Sequence, residues 1–310
     1  MKAVKHVVLV GIDGGGRFFE ETDTPNFDRI FANGAKTYQA YASNPSISAE
    51  CWASMMVGVS PSVHGKTNSV LGSTKYDPES PFPTLYRRIR AARPHAELGA
   101  FCDWYPIING LIERNVVVTR CSEHDAQLLP KIEEYIIAKK PEFLFVHMDS
   151  CDHAGHKNGY GTPAHLSQIR IVDGYLGRIY DAVCEAGIAD DTVFMMVCDH
   201  GGTCDPAKDG GPGFCGSHGG WTTNEKLITF GAVGPGIKKG SEIGDMNIRD
   251  IAAIVLYVMG IERPDFQPEG WTSQLPEGLL EDDIPVYFDI SAETGAEPRI
   301  SRQQHTSELL

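Results

Sequence analysis

Several short segments place acids and imidazoles directly after apolar runs. Asp13 follows His6–Ile12 and opens the tight turn Asp13-Gly14-Gly15-Gly16. Asp149, Asp152, His153 and His156 follow Phe143–His147, and Asp199 with His200 follows Thr192–Cys198. His218 precedes Gly219-Gly220 in a glycine-rich stretch. Carboxylate and imidazole together suit zinc or manganese better than calcium or magnesium. Asp152 and His156 are four apart, so one helical turn sets both on one face, as a shared ion requires. Asp149 and His153 have the same spacing, and spacing alone does not choose between the pairs. A hydroxyl adds to this set at Ser48, where the approach Asn44-Pro45-Ser46-Ile47 gives way to Ala49–Val57, a run free of Gly and Pro with helix-compatible apolar spacing. A helix N-terminus there favours an anion such as a phosphate, through unpaired amides and the helix dipole. A Ser in that place also serves as a plain helix cap, and a lone Asp13 as a turn residue.

These residues need strands to deliver them. His6–Ile12, Phe143–His147 and Thr192–Cys198 read as buried parallel strands, whose carboxyl ends are where α/β sheets hold ligands. Further strands are expected at Lys36–Ala42, Ala96–Phe101, Val116–Thr119 and Lys226–Val233. Helices are expected from Pro25, over Ala49–Val57, Thr84–Ala92, Glu123–Lys140 and Pro163–Gly187, and over Asn247–Gly260 with Asn247 as its cap. The expectation is one three-layer α/β/α domain over 1–310 with a mostly parallel central sheet. It carries loop insertions at about 66–83 and 203–220 and an irregular tail, about 262–310, wrapping the surface.

A net charge of −14 in 310 residues argues against a nucleic-acid-coating or membrane-binding basic surface, while leaving room for a metal-lined pocket that attracts phosphate locally. The apolar run Val7–Val10 is too short for a signal segment or a membrane span, so a cytoplasmic protein is expected. Eight Cys without framework spacing are read as reduced thiols, and the spacing of Cys204 and Cys215 argues against a disulfide or a zinc site. The glycines after Asp13 fit neither a dinucleotide fingerprint nor a P-loop.

The ordered motifs Asp13, Pro45-x-x-Ser48 with Gly58-x-x-Pro61-x-x-His64-Gly65, Asp152-x-x-x-His156, Asp199-His200-Gly201 and His218-Gly219 resemble the alkaline phosphatase superfamily. The similarity is to its type I phosphodiesterase and nucleotide pyrophosphatase branch. It spans roughly residues 6–220, and Asp250–Gly260 resembles the closing helix. The resemblance implies an alkaline-phosphatase-like fold and two divalent ions, zinc or manganese. It gives Asp152, His156 and His218 to one ion and Asp13, Asp199 and His200 to the other, with Ser48 as bridging nucleophile. The implied reaction is hydrolysis of a small phosphodiester or pyrophosphate through a phosphoseryl intermediate. The chain departs from the branch in having Ser48 for its usual Thr and Glu50-Cys51 for a Pro-Asn pair. Asn68 stands one position before the expected phosphate-holding Asn, where Ser69 lies. The sulfatase pattern is missing, since Ser48-Ala49-Glu50-Cys51-Trp52 lacks its Pro and Arg. A phosphomonoesterase, a metal-dependent phosphomutase and a non-catalytic metal-binding protein are the alternatives. No Arg stands beside Ser48 in sequence, which favours diesters, although Arg114 or Arg120 could fold into the site. Phe18, Phe19, Trp52 and Tyr76 either face an apolar leaving group or pack in the core.

Overall fold

The run His6–Ile12 forms strand β1, every residue of which is buried. In this computed structural model, which describes residues 3–204, 216–241, 243–261 and 272–281, β1 sits in a seven-stranded sheet. The other strands are β2 (Ala35–Tyr41), β3 (Leu98–Cys102), β4 (Thr119–Cys121), β5 (Phe143–Met148), β6 (Thr192–Cys198) and β7 (Leu227–Val233), in the order β2-β7-β6-β1-β5-β3-β4. All pairings are parallel except those of β7 with β6 and with β2. β5 and β6 flank β1 and are as fully buried, which is why all three read as nearly continuous apolar runs rather than alternating ones.

Helices cover both faces. Phe145 meets Trp52 of the Ser48–Val57 helix, while the preceding Leu144 points to the opposite face, toward Tyr135 of the Asp125–Lys139 helix. The Ser48–Val57 helix packs with Asp250–Val258, and on the other side the long Pro163–Glu185 helix gathers Pro25–Phe31, Asp125–Lys139 and Ser150–Asn158. The mostly parallel three-layer α/β/α sandwich expected from the sequence is therefore present. No helix among the described residues is long and apolar enough to cross a membrane, and the described cysteines are free thiols.

Several boundaries differ from expectation. β4 starts at Thr119 rather than Val116, because its extent is set by pairing with Gly99–Phe101 alone. The polar stretch 66–83 contains a helix, Asn68–Ser73, held by buried Leu71 and capped by Thr67 Oγ1, which accepts from the Val70 amide. The last helix begins at Asp250, since Asn247 Oδ1 accepts the Arg249 amide and Asp250 Oδ2 accepts the Asn247 amide. In the tail, Leu279 is buried, Leu280 bridges Ile237, and Ser273 Oγ accepts the Ala253 amide, so this part is built into the core. Residues 205–215, 262–271 and 282–310, including Cys215, lie outside the described residues.

Gly11 lets the Ser48–Val57 helix approach the sheet. A Cβ there would meet Trp52 Cη2 at 2.6 Å and Phe145 Cε2 at 3.0 Å. Gly11→Val is therefore expected to destabilise the fold by about 1–3 kcal/mol through overpacking. Urea unfolding measures this, and a change below about 0.5 kcal/mol, as at ordinary surface positions, contradicts the close approach.

Candidate active site

Strand register decides where the acids go. Ile12 pairs with Met148 and with Cys198, so β1, β5 and β6 end level and the next residues, Asp13, Asp149 and Asp199, leave the sheet side by side. Gly14 makes the turn after Asp13 at φ +67°, and a Cβ there would meet Asp152 Cα at 2.6 Å. Asp152 reaches this spot from the first turn of the Ser150–Asn158 helix, with the Tyr160 hydroxyl donating to its Oδ1.

Three imidazoles converge on the acids, each oriented the same way. His156, His200 and His218 donate from Nδ1 to the carbonyls of Gly216, Gly201 and Ser46, at 3.0, 2.9 and 2.9 Å. A carbonyl oxygen only accepts, so Nε2 is the nitrogen left for the site. His156 Nε2 lies 3.2 Å from Asp152 Oδ2, and His218 Nε2 lies 3.9 Å from Asp152 Oδ1. His200 Nε2 is 3.3 Å from both Asp13 Oδ1 and Asp199 Oδ2. The His200 and His218 rings stack with centroids 3.8 Å apart.

The ligand atoms of Asp152, His156 and His218 lie within 4.8 Å of one another, and so do those of Asp13, Asp152 and His200. Asp152 thus stands between the two groups. Asp199 joins the second through Oδ2, which is buried without a hydrogen-bond partner while Oδ1 accepts the Gly14 and His200 amides. Asp149 and His153 pair at 3.3 Å, but the His153 side chain is 64% exposed and turned away from this convergence.

Ser48 is the first residue of its helix rather than its cap. Its hydroxyl makes no capping bond and instead lies 3.1 Å from His200 Nε2 and 3.3 Å from Asp13 Oδ1. The Ala49 amide donates to Asn68 Oδ1 at 3.0 Å, so Asn68 sits at the same helix end despite its displaced sequence position. Ser46 is used elsewhere. Its hydroxyl donates to the Gly220 carbonyl and accepts the Gly219 amide, tying down the turn after His218, and Glu225 takes the Gly220 amide on the other side.

Sequence reasoning missed the groups that hold Asp13. Its Oδ2 accepts from Trp52 Nε1 at 2.9 Å and from His147 Nε2 at 3.0 Å, while His147 Nδ1 accepts the Trp104 amide at 3.5 Å. Trp52 is one helical turn beyond Ser48, and His147 is the lone polar residue of β5. Each carried a legible signal in that placement. Asp13, His147 and Asp149 also form a third group of potential ligand atoms, although His147 Nε2 is committed to Asp13. Arg114 and Arg120 do not join the site. Among the described residues, no Lys or Arg forms an ion pair with Asp13, Asp152 or Asp199. Phe18, Phe19, Trp52 and Tyr76 are all buried, so the core reading of these aromatics holds.

Uncompensated negative charge shifts the acids. Burial together with Asp152 pushes Asp13 up to about 7. Burial and the charge of Asp13 push Asp149 up to about 8 and carry Asp199 well above the usual carboxylate range. Asp152 moves the other way: against the effect of burial, its hydrogen bond with His156 holds it low. The same bond raises His156 to about 9, whereas burial lowers His200 to about 3. Clustered buried carboxylates, an unpartnered Oδ2 and three Nε2 atoms aimed inward are the donor set of a divalent cation, so the residues fit such an ion.

The profile of the type I phosphodiesterase / nucleotide pyrophosphatase family matches residues 7–119 and 113–209. Two 2,3-bisphosphoglycerate-independent phosphoglycerate mutases are similar in sequence. The Gluconobacter oxydans enzyme is 28% identical over 139 residues (45% of this chain), and the Brugia malayi enzyme 25% over 239 (65% of this chain). The chain spans 24% and 43% of their lengths, less than half of each. Among solved structures, murine ectonucleotide pyrophosphatase / phosphodiesterase 5, in an inactive form with AMP, aligns with a TM-score of 0.68 at 16% identity. The human counterpart gives 0.68 at 14% identity, and both alignments cover 84% of this chain and 96% of the other. Likeness at these identities establishes the fold alone.

Without metal, stability is expected to fall as pH rises from about 6.5 to about 9. The folded-state values of Asp13 (about 7), Asp149 (about 8) and His156 (about 9) are all raised from ordinary values of 3.8, 3.8 and 6.5. Across this window the native state binds more protons than the unfolded chain, so raising the pH favours unfolding. Thermal melts in chelator between pH 6 and 9 should show the decline, and added zinc or manganese should remove most of it. A flat profile in chelator counts against the buried-charge account.

Proposed function

The chain belongs to the type I phosphodiesterase / nucleotide pyrophosphatase family, and from that premise we propose a metal-dependent phosphoryl-transfer hydrolase that cleaves small phosphodiesters or pyrophosphates through a phosphoseryl intermediate on Ser48. The observation that carries this reading is the Ser48 hydroxyl, which caps nothing and faces Asp13 and His200 at the start of a buried helix. In the proposal, Asp152, His156 and His218 hold one divalent ion, and Asp13, Asp199, His200 and Ser48 hold a second. When bound, zinc or manganese ions supply Lewis acidity that activates a hydroxyl and offsets charge on a leaving oxygen.

The chain's own groups do the rest. Ser48 Oγ bonds to phosphorus as the bond to the leaving oxygen breaks, and water then cleaves the seryl phosphate and restores the hydroxyl. The N-terminus of the Ser48–Val57 helix and the Asn68 carboxamide beside it suit the non-bridging oxygens of the transferred group. Trp52 and His147 fix Asp13 so that Oδ1 faces Ser48. The Nδ1 bonds to Gly216, Gly201 and Ser46 fix the three imidazole rings. The phosphoglycerate mutase relatives support a second reading, transfer of the phosphoryl group to a second hydroxyl of the substrate, which an assay for inorganic phosphate release separates from hydrolysis.

Ser48→Ala is expected to abolish turnover while leaving metal content nearly intact, whereas His218→Ala loses metal as well as activity. Elemental analysis beside the activity assay checks both, and a fully active Ser48→Ala protein overturns the covalent step. With no Lys or Arg among the described residues paired to the site carboxylates, a doubly charged monoester finds no such cation for its extra oxygen. A bis-nitrophenyl diester or nitrophenyl nucleotide should therefore exceed a nitrophenyl monoester in kcat/KM. A monoester favoured by more than about tenfold, or roughly 1.4 kcal/mol, makes phosphatase the better reading.

A further inference from the structure

A cationic cluster lies apart from Ser48, around a pocket beside the end of β4. Lys75, Arg114 and Arg120, with Tyr105 and Asn109, line a pocket of about 320 Å³ that contains no carboxylate. In a chain of net charge −14 this is a local reversal of sign. Lys75 and Arg114 have no hydrogen-bond or ion-pair partner among the described residues, and both are exposed. Arg120 is anchored, donating to the carbonyls of Glu113 and Val116 at 3.1 and 3.4 Å. The acids of the adjoining pocket, which shares Ser122, are occupied: Asp103 accepts from His124 and the Asp125 amide, and Glu123 pairs with Lys131, while the Glu113 carboxylate is taken by Thr84.

Two independent paths connect this pocket to Ser48. Asn68, on the Ala49 amide, opens the Asn68–Ser73 helix, and Lys75 lies just beyond its end, about 10 Å away at 1.5 Å per residue. Across the sheet, β4 ends at Cys121 beside the pocket, three strand steps from β1, or about 14 Å at the usual spacing. Both strands run parallel, so Ser48's site and the pocket open on the same carboxyl edge.

We propose that the Lys75/Arg114/Arg120 pocket binds a second phosphate of the substrate, a nucleoside-sized span from the phosphoryl group attacked at Ser48. Two exposed cations and an anchored guanidinium match the charge and oxygen count of a terminal phosphate, and the exposed Tyr105 ring, 59% accessible, lines the pocket where the intervening group would lie. The substrate half of this proposal rests on the hydrolase reading above, whereas anion binding by the pocket does not.

The test therefore has two arms, both with the double variant Lys75→Ala/Arg114→Ala, which leaves the anchored Arg120 in place. In the first, kcat/KM is compared for the 4-nitrophenyl ester of thymidine 5′-phosphate and the same ester bearing a 3′-phosphate. The native enzyme should prefer the phosphorylated ester by about tenfold or more, and the variant should bring the ratio close to one. An unchanged ratio overturns the subsite. In the second arm, inorganic pyrophosphate is titrated calorimetrically into metal-loaded Ser48→Ala protein with and without the double substitution. Loss of a salt-sensitive binding event supports the pocket, and identical isotherms overturn it. If neither ester is turned over by native enzyme, the hydrolase reading fails while the second arm still decides the pocket.

Discussion

Buried negative charge at the ends of three level strands is the constraint on which the rest of this structure depends. Asp13 and Asp199 are almost wholly inaccessible, Asp152 stands between them and the imidazoles, and no Lys or Arg among the described residues answers them. Such a cluster is costly in a dry interior unless its members are protonated, hydrogen-bonded or bound to a cation. The chain answers some of the charge with amides and an indole, and leaves Asp199 Oδ2 without a partner. That residual strain makes the site electrostatically prepared for divalent ions.

Orientation is the second requirement, and the fold meets it with backbone carbonyls. Each of the three imidazoles is steered by a carbonyl bond at Nδ1, and two of those carbonyls come from distant chain segments, Ser46 for His218 and Gly216 for His156. Ser46 also ties its hydroxyl to Gly219 and Gly220, so the approach to the Ser48 helix and the turn carrying His218 are one mechanical unit. Changes in that approach would reach the imidazoles without touching any acid.

Charge is divided along the carboxyl edge of the sheet. Acids gather under β1, β5 and β6, while the free cations gather two strands farther out, beside β4. The absence of Arg at Ser48 and the presence of Arg114 and Arg120 in a separate pocket are two sides of this arrangement. A substrate reaching from one to the other would be read by charge at both ends.

Much of the fold was legible because parallel strands buried on both faces must be apolar throughout: β1, β5 and β6 stand out as runs, each followed by an acid. Asp13, Ser48, Asp152, His156, Asp199, His200 and His218 stood out as candidates by type and were assigned together only through the family resemblance of their ordered motifs, and net charge argued against a basic surface. What sequence could not decide was distance between segments far apart in the chain. The Asp149/His153 pair had the same spacing as Asp152/His156, and only the turn of the Ser150–Asn158 helix leaves His153 exposed while His156 faces inward, the two acids being equally buried. Trp52 and His147 looked like core residues, and they are core residues, but strand register and helix approach put their N–H groups on Asp13. Asn68 was one position off in sequence and reaches the helix end through a short helix hidden in polar composition. Periodicity reports which face of an element is buried, whereas the partner on that face is chosen by packing across the sheet, and that belongs to the tertiary structure alone.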